Sequence, residues 1–267
     1  TPERPDALMS DAVDVTVETA YYFGGPAADV SIDWEIWGSS AGYSYQNGHD
    51  LTDRDGRLHL TIPANFFRDT DSAQTATISV EVSGVGERPL AASASVLFHP
   101  AEVVVQARPD RYLNQAGQEM NLALSTVNWD ENPAPNRPVT VTLSQVDWVW
   151  GTNQYGREGW EAQLTVVATI TTTTGNDGTA RIPFTPPAAG EYRVTAVAAD
   201  ANGRLDASRP VTFYAVGQGM VRYPLDTNQL TLKFDQEQYT PGDTARLLVQ
   251  SGFDEPVLYS GFLFRRR

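Results

Sequence analysis

Cysteine is absent from the 267 residues, and that absence excludes disulfides, thiolate metal sites and thiol nucleophiles together. No apolar run approaches the ~18–20 residues a membrane span requires, so no span is expected in this segment. Bases are scarce: 19 Lys and Arg stand against 33 Asp and Glu, a net charge of −14, with Lys233 the only lysine. A surface of that sign repels phosphate, and nucleic acid is excluded as an expected partner. Histidine is limited to His49, His59 and His99, in neither H-x-x-x-H nor H-x-H spacing. With no cysteine to complete a zinc set, all three are expected to be ordinary surface histidines and no metal is expected. Thr1 is preceded by no initiator Met, charged n-region or apolar h-region. Any signal peptide is expected to have been removed or left out, and the chain to be a piece of something longer.

What is present is enough apolar and aromatic material for more than one core: 41% hydrophobic residues, with 6 Trp, 11 Tyr and 10 Phe. Helical periodicity is missing almost everywhere. Apolar residues recur two apart instead, at Val13, Val15, Val17; Ile32, Trp34, Ile36; Leu58, Leu60, Ile62; Ile78, Val80, Val82; Val139, Val141, Leu143; and Tyr192, Val194, Ala196. Residues two apart share one face of a strand, so these segments read as half-buried strands. Asp55-Gly56, Gly175-Asn176-Asp177-Gly178, Asn202-Gly203 and Pro241-Gly242-Asp243 supply turns between them. The chain is expected to be all-β, built of antiparallel sandwiches.

The alternation is itself repeated. One block runs from Val13–Val17 through Tyr21-Tyr22-Phe23-Gly24-Gly25-Pro26 to a strand over 30–37. A second runs from Val103–Val105 through Pro109-Asp110-Arg111-Tyr112 and Gly117 to a strand over 120–126. A third runs from Leu230–Phe234 through Tyr239-Thr240-Pro241-Gly242-Asp243 to a strand over 245–250. The back halves of the first two also match: Thr52-Asp53-Arg54-Asp55-Gly56 before Leu58–Ile62, and Thr174-Gly175-Asn176-Asp177-Gly178 before Ala180–Phe184. This divides the chain into a linker over 1–10, a sandwich over 11–100, a second over 101–217 and the first part of a third over 218–267. About half a sandwich would leave open strand edges, so the third block is expected to continue past residue 267.

At these residues the chain resembles the alpha-2-macroglobulin family, in its bacterial form. Tyr239-Thr240-Pro241-Gly242-Asp243-Thr244-Ala245 is similar to the Y-x-P-G-[DE]-T-A stretch that opens a macroglobulin-like domain ahead of, or leading into, the bait region. Gly190-Glu191-Tyr192-Arg193-Val194 with Asp200 to Gly203 resembles a G-x-Y-x-[VL]…D-x-x-G closing hairpin. Tyr21–Pro26 resembles a Y-x-F-G-x-P domain entry, and Asp147-Trp148 an acidic-Trp pair before an insertion. The resemblance implies tandem macroglobulin-like (immunoglobulin- or fibronectin-III-like) sandwiches forming the scaffold of a broad-spectrum protease trap, with proteases as partners of the full-length parent. Neighbouring macroglobulin-like domains would be its partners within the chain, and the periplasm or cell exterior its location. The family's Cys-x-Glu-Gln thioester cannot be here, and no bait region is evident.

Patterns that carry chemistry elsewhere read blandly here. Gly38-Ser39-Ser40-Ala41-Gly42 matches G-x-S-x-G, but Tyr43–Gly48 offers no helix to complete a nucleophile elbow. Asp50, Asp53, Asp55 and Gly56 lack the twelve-residue calcium loop and read as a tight turn. Asp33 and Glu35 read as a solvated strand face, and Arg265-Arg266-Arg267 as a charged strand end. No catalytic residue, cofactor or enzyme activity is expected. The distinctive feature is Trp148, Trp150, Tyr155 and Trp160 among three glycines, read as a long hairpin packed on its own sandwich or on a neighbouring domain. The alternative is a recognition surface of an adhesin or carbohydrate-binding module.

Overall fold

The computed structural model describes residues 1–38, 45–67, 70–82, 90–152, 156–217, 230–236 and 238–251. Every regular element in it is a strand. The first seven are β1 (Asp6–Leu8), β2 (Val13–Glu18), β3 (Ser31–Gly38), β4 (Tyr45–Leu51), β5 (Arg57–Ile62), β6 (Gln74–Val82) and β7 (Leu90–His99). They form a five-stranded sheet, β1-β7-β6-β3-β4, against the pair β2-β5. The inward phase of each strand, Val13 and Val15, Ile36, Leu60 and Ile62, Ile78, Val96 and Phe98, meets in one core.

The second sandwich contains β8 (Val104–Pro109), β9 (Leu113–Gln115), β10 (Met120–Val127), β11 (Pro138–Thr152), β12 (Glu158–Thr173), β13 (Thr179–Phe184), β14 (Gly190–Ala199), β15 (Leu205–Ala207) and β16 (Val211–Val216). A three-stranded sheet, β13-β10-β8, covers the sheet β12-β11-β14-β16-β9, with β15 paired to β14. Leu122, Leu124, Val141, Leu143, Tyr192, Val194 and Phe213 fill a second, separate core. Tyr192 stacks on Phe213 and donates its hydroxyl to the Ala188 carbonyl at 2.8 Å, so the polar tip of this buried ring is satisfied. A last hairpin, β17 (Leu230–Phe234) with β18 (Leu247–Ser251), follows.

Pairing is antiparallel except at two short edges, β1 beside β7 and β9 beside β16, which are parallel. The expected linker over 1–10 is ordered against the first sandwich. Its Asp6–Leu8 form β1, and the Glu3 N–H reaches the Asp14 carbonyl at 2.9 Å.

The internal repeat is real, but its front half lies one strand away from the expected alignment. The equivalent of β2 in the second sandwich is β10, not the Val103–Val105 strand: β2 pairs β5 as β10 pairs β13. The corners after them are built alike. The Thr19 hydroxyl lies 2.9 Å from the Ala27 carbonyl and 3.0 Å from that of Gly56; the Thr126 hydroxyl lies 2.7 Å from the Ala134 carbonyl and 3.2 Å from that of Gly178. Both glycines sit at positive φ, 70° and 73°. A Cβ on either would stand within 2.6 Å of the threonine carbonyl, so only glycine fits. Alternation alone cannot show which of two neighbouring strands is equivalent; pairing partners can.

Candidate functional site

The aromatic hairpin separates into two environments. Strand β11 pairs with β14 only through Val146, so the β11–β12 hairpin continues past the sheet as two strands. Trp148 is half-buried at the base, and its indole N–H donates to Glu191 Oε2 at 3.0 Å, which gives that buried carboxylate a partner. Trp150 and Trp160 lie directly opposite each other farther out. Their rings meet edge to face at 5.6 Å and 84°, and Trp150 remains 59% exposed. Packing on its own sandwich, one of the two expected placements, therefore reaches Trp148 and not Trp150, because β14 begins at Gly190 and its pairing with β11 stops at Val146. Tyr155 lies outside the described residues, as do Ser39 to Gly42 of the G-x-S-x-G match and Arg265–Arg267.

The remaining sequence candidates are structural or exposed. Asp53 Oδ1 accepts the backbone N–H groups of Asp55 and Arg57 at 2.9 and 2.8 Å, which makes the aspartate cluster a turn. Asp33 and Glu35 face outward with Tyr45, His49 and Glu81 around an open concavity of about 870 Å³. The His49 ring contacts Asp33 at 2.7 Å. Among the described residues, no group of three His, Asp or Glu is arranged to hold a metal, and no helix is long and apolar enough to cross a membrane. Trp34 covers the face of Gly48 and donates to Asp50 at 2.8 Å.

The feature missed by sequence reasoning lies where the two sandwiches meet. His99, expected at the surface, is buried there. It is the last residue of β7, so its ring is covered by the following sandwich rather than by its own sheet. The ring contacts Asp6 Oδ1 through Nε2 at 2.8 Å and stacks on Trp129 at 4.7 Å and 18°. Trp129 donates its indole N–H to the Ala101 carbonyl at 3.0 Å. From β15, the Ala207 N–H reaches the Asp71 carbonyl at 3.0 Å, and the buried Asp206 carboxylate accepts the Val105 N–H at 2.8 Å. Burial pushes the Asp206 carboxyl up to about 6; the Val105 N–H and the charge of His99 oppose the rise, and the Asp71 carboxylate adds to it.

Beside this seam, Asp200 closes the turn between β14 and β15. Burial alone would raise its carboxyl, but the Glu102 N–H, the Arg204 guanidinium and the backbone N–H groups of Arg204 and Asn202 hold it down to about 2. At the far end of the second sandwich, the Tyr112 N–H binds the Asp235 carbonyl at 2.9 Å. Asp235 in turn accepts from Tyr239 and the Arg246 N–H, so the conspicuous Tyr239 of the third block ties down a turn.

Comparison with known proteins shows what this fold is similar to. The family model "Bacterial macroglobulin domain 6" matches residues 105–215. A curated alpha-2-macroglobulin homolog of Nostoc sp. (strain PCC 7120) is 22% identical across 96% of this chain and 15% of its own length. The crystal structure of Salmonella alpha-2-macroglobulin reacted with methylamine superposes with a TM-score of 0.58 at 16% identity, over 94% of this chain and 18% of that one. Trypsin-activated alpha-2-macroglobulin from Escherichia coli gives 0.58 at 17% identity, over 92% and 18%. The chain thus spans under a fifth of the length of these relatives. Residues 105–215 match a bacterial macroglobulin domain, and the chain as a whole is similar to a segment of bacterial alpha-2-macroglobulins.

Proposed function

We propose that the chain is a non-catalytic scaffold segment of an alpha-2-macroglobulin-like protease inhibitor. The observation that supports this reading is that 94% of the chain superposes on one bacterial alpha-2-macroglobulin, with a TM-score of 0.58. In the family the sequence resembles, a protease cuts the bait region and the shell of macroglobulin-like domains rearranges around it. A domain-length piece with two firm cores and short joints suits the wall of such a shell. We divide it near residue 100 and near residue 217, with a third domain beginning after that. The exposed Trp150–Trp160 end of the β11–β12 hairpin is assigned to contact with a neighbouring domain of the parent; two rings at 84° offer no common flat face for stacking a sugar. The periplasm or cell exterior is the location that fits this role.

The test uses the full-length parent and trypsin. A trap shields bulky substrates from the enclosed protease while small peptide substrates still reach it. After incubation, cleavage of a large protein substrate should fall while hydrolysis of a small chromogenic peptide persists. Loss of neither, or loss of both together, would reject the trap. The 267-residue chain alone should inhibit neither.

A further inference from the structure

The corner that joins the second sandwich to the first is present in both sandwiches, and in the first it is uncovered. The Tyr21 N–H reaches the Gly25 carbonyl at 3.0 Å, as the Asn128 N–H reaches that of Asn132 at 2.9 Å. The Gly24 N–H returns to the Tyr21 carbonyl at 2.9 Å, as that of Glu131 returns to Asn128 at 3.0 Å. Ala20 bridges Pro26 as Val127 bridges Pro133, and Asp29 and Asn136 share positive φ, 54° and 56°. In this frame Tyr22 occupies the place of Trp129, which stacks on His99 and donates to the Ala101 carbonyl in the link between the sandwiches. Trp129 is half-buried, whereas Tyr22 is fully exposed and Phe23 is 87% exposed. Tyr21 stacks on Phe23 at 5.6 Å and 3°, so the corner presents a ready-formed aromatic cluster.

The chain also enters both sandwiches on the same line. The Glu3 N–H binds the Asp14 carbonyl at 2.9 Å beside the Pro2–Val15 bridge. In the second sandwich the Asp110 N–H binds the Asn121 carbonyl at 2.9 Å beside the Pro109–Leu122 pair of β8 and β10. Strand β8 begins at Val104, opposite Val127 at the foot of the Trp129 corner. Traced upstream on the matching line along β2, a chain passes the 20–26 corner.

We infer that this corner is the docking element for the closing end of a preceding β-sandwich in the parent chain, with Tyr22 in the role that Trp129 plays between the two sandwiches here. The inference takes from the scaffold reading only that the parent is a tandem of sandwiches. Tyrosine has what the position uses: a flat ring for the side chain at the end of a last strand, and a polar tip for a carbonyl of the link. The occupant is thus a strand end bearing a planar or apolar side chain, followed closely by a free backbone carbonyl, as His99 and Ala101 are arranged for Trp129. The cluster is no part of the first core, and aromatics gathered on a surface corner mark a contact.

Hydroxyl-radical footprinting read by peptide mass spectrometry compares Tyr22 and Phe23 in the 267-residue chain and in the full-length parent, at equal radical dose. Both should label as fast as an unfolded reporter peptide in the shorter chain and lose most of that labelling in the parent. Equal labelling in the two would overturn the proposal. Protection that develops in the shorter chain as its concentration is raised would also overturn it, by assigning the corner to a second copy. Tyr22→Asp combined with Phe23→Asp tests the same contact by stability. The pair should leave the thermal midpoint of the shorter chain unchanged, because these rings are solvated there, and should lower that of the first sandwich in the parent. An unchanged parent would overturn the joint. No protease enters either measurement, so failure of the trap and failure of this joint are read separately.

Discussion

The two glycines at the matched corners carry a structural demand that most glycines of the chain do not. Gly56 needs positive φ and also has the Thr19 carbonyl where a Cβ would go, 2.5 Å away. Gly203 shares the positive φ, 78°, but has nothing within 4 Å of that position. Gly56→Ala is therefore expected to cost about 2–4 kcal/mol and Gly203→Ala about 1, measured by urea denaturation. Equal costs would mean that the carbonyl shifts without penalty. Asp200 gives the second residue-scale prediction. Its folded carboxyl lies near 2, below the ordinary 3.8, so it contributes stability above pH ~4 that is lost as pH falls through about 2. Asp200→Ala should remove about 2 kcal/mol at neutral pH and flatten this part of the acid limb. Asp206 has the opposite sign: its raised carboxyl makes the folded state less stable as pH climbs from about 4 to about 6.

Among elements, the β11–β12 hairpin shows how one strand can serve two purposes. Its first half is core, with Val139, Val141 and Leu143 fully buried. Its outer half lacks the support of β14 and presents indoles instead. Trp150→Ala is expected to change the stability of the second sandwich little, by less than about 1 kcal/mol, because the ring is mostly solvated. Trp148→Phe should cost about 1–2 kcal/mol, since it leaves the buried Glu191 carboxylate without its indole donor. Equal losses in calorimetry would place both rings in the core. Strand phases in this hairpin are legible from Val139, Val141 and Leu143, because side-chain direction depends only on residue parity. Where β14 stops covering β11 is not legible, since that depends on a strand some fifty residues later in the chain.

At the scale of the molecule, two cores meet at a seam of rings and carboxyls. Trp129→Ala removes both the stack on His99 and the bond to Ala101, with little direct effect on either core. It should leave the secondary structure intact while separating the unfolding of the two sandwiches into distinct calorimetric transitions. A single unchanged transition would show that the seam does not couple them.

The features legible in the residues alone are local. Period-two alternation marks strands, Gly and Asp mark turns, and missing cysteine removes whole chemistries. The order of motifs points to macroglobulin-like sandwiches. The alignment of β2 with β10, the burial of His99 and the displacement of Asp206 emerge from the packing of the folded chain. Each depends on what lies opposite: a partner strand, a neighbouring sandwich or a second carboxylate. Sequence spacing records the direction in which a side chain leaves its own strand, but not what comes to cover it.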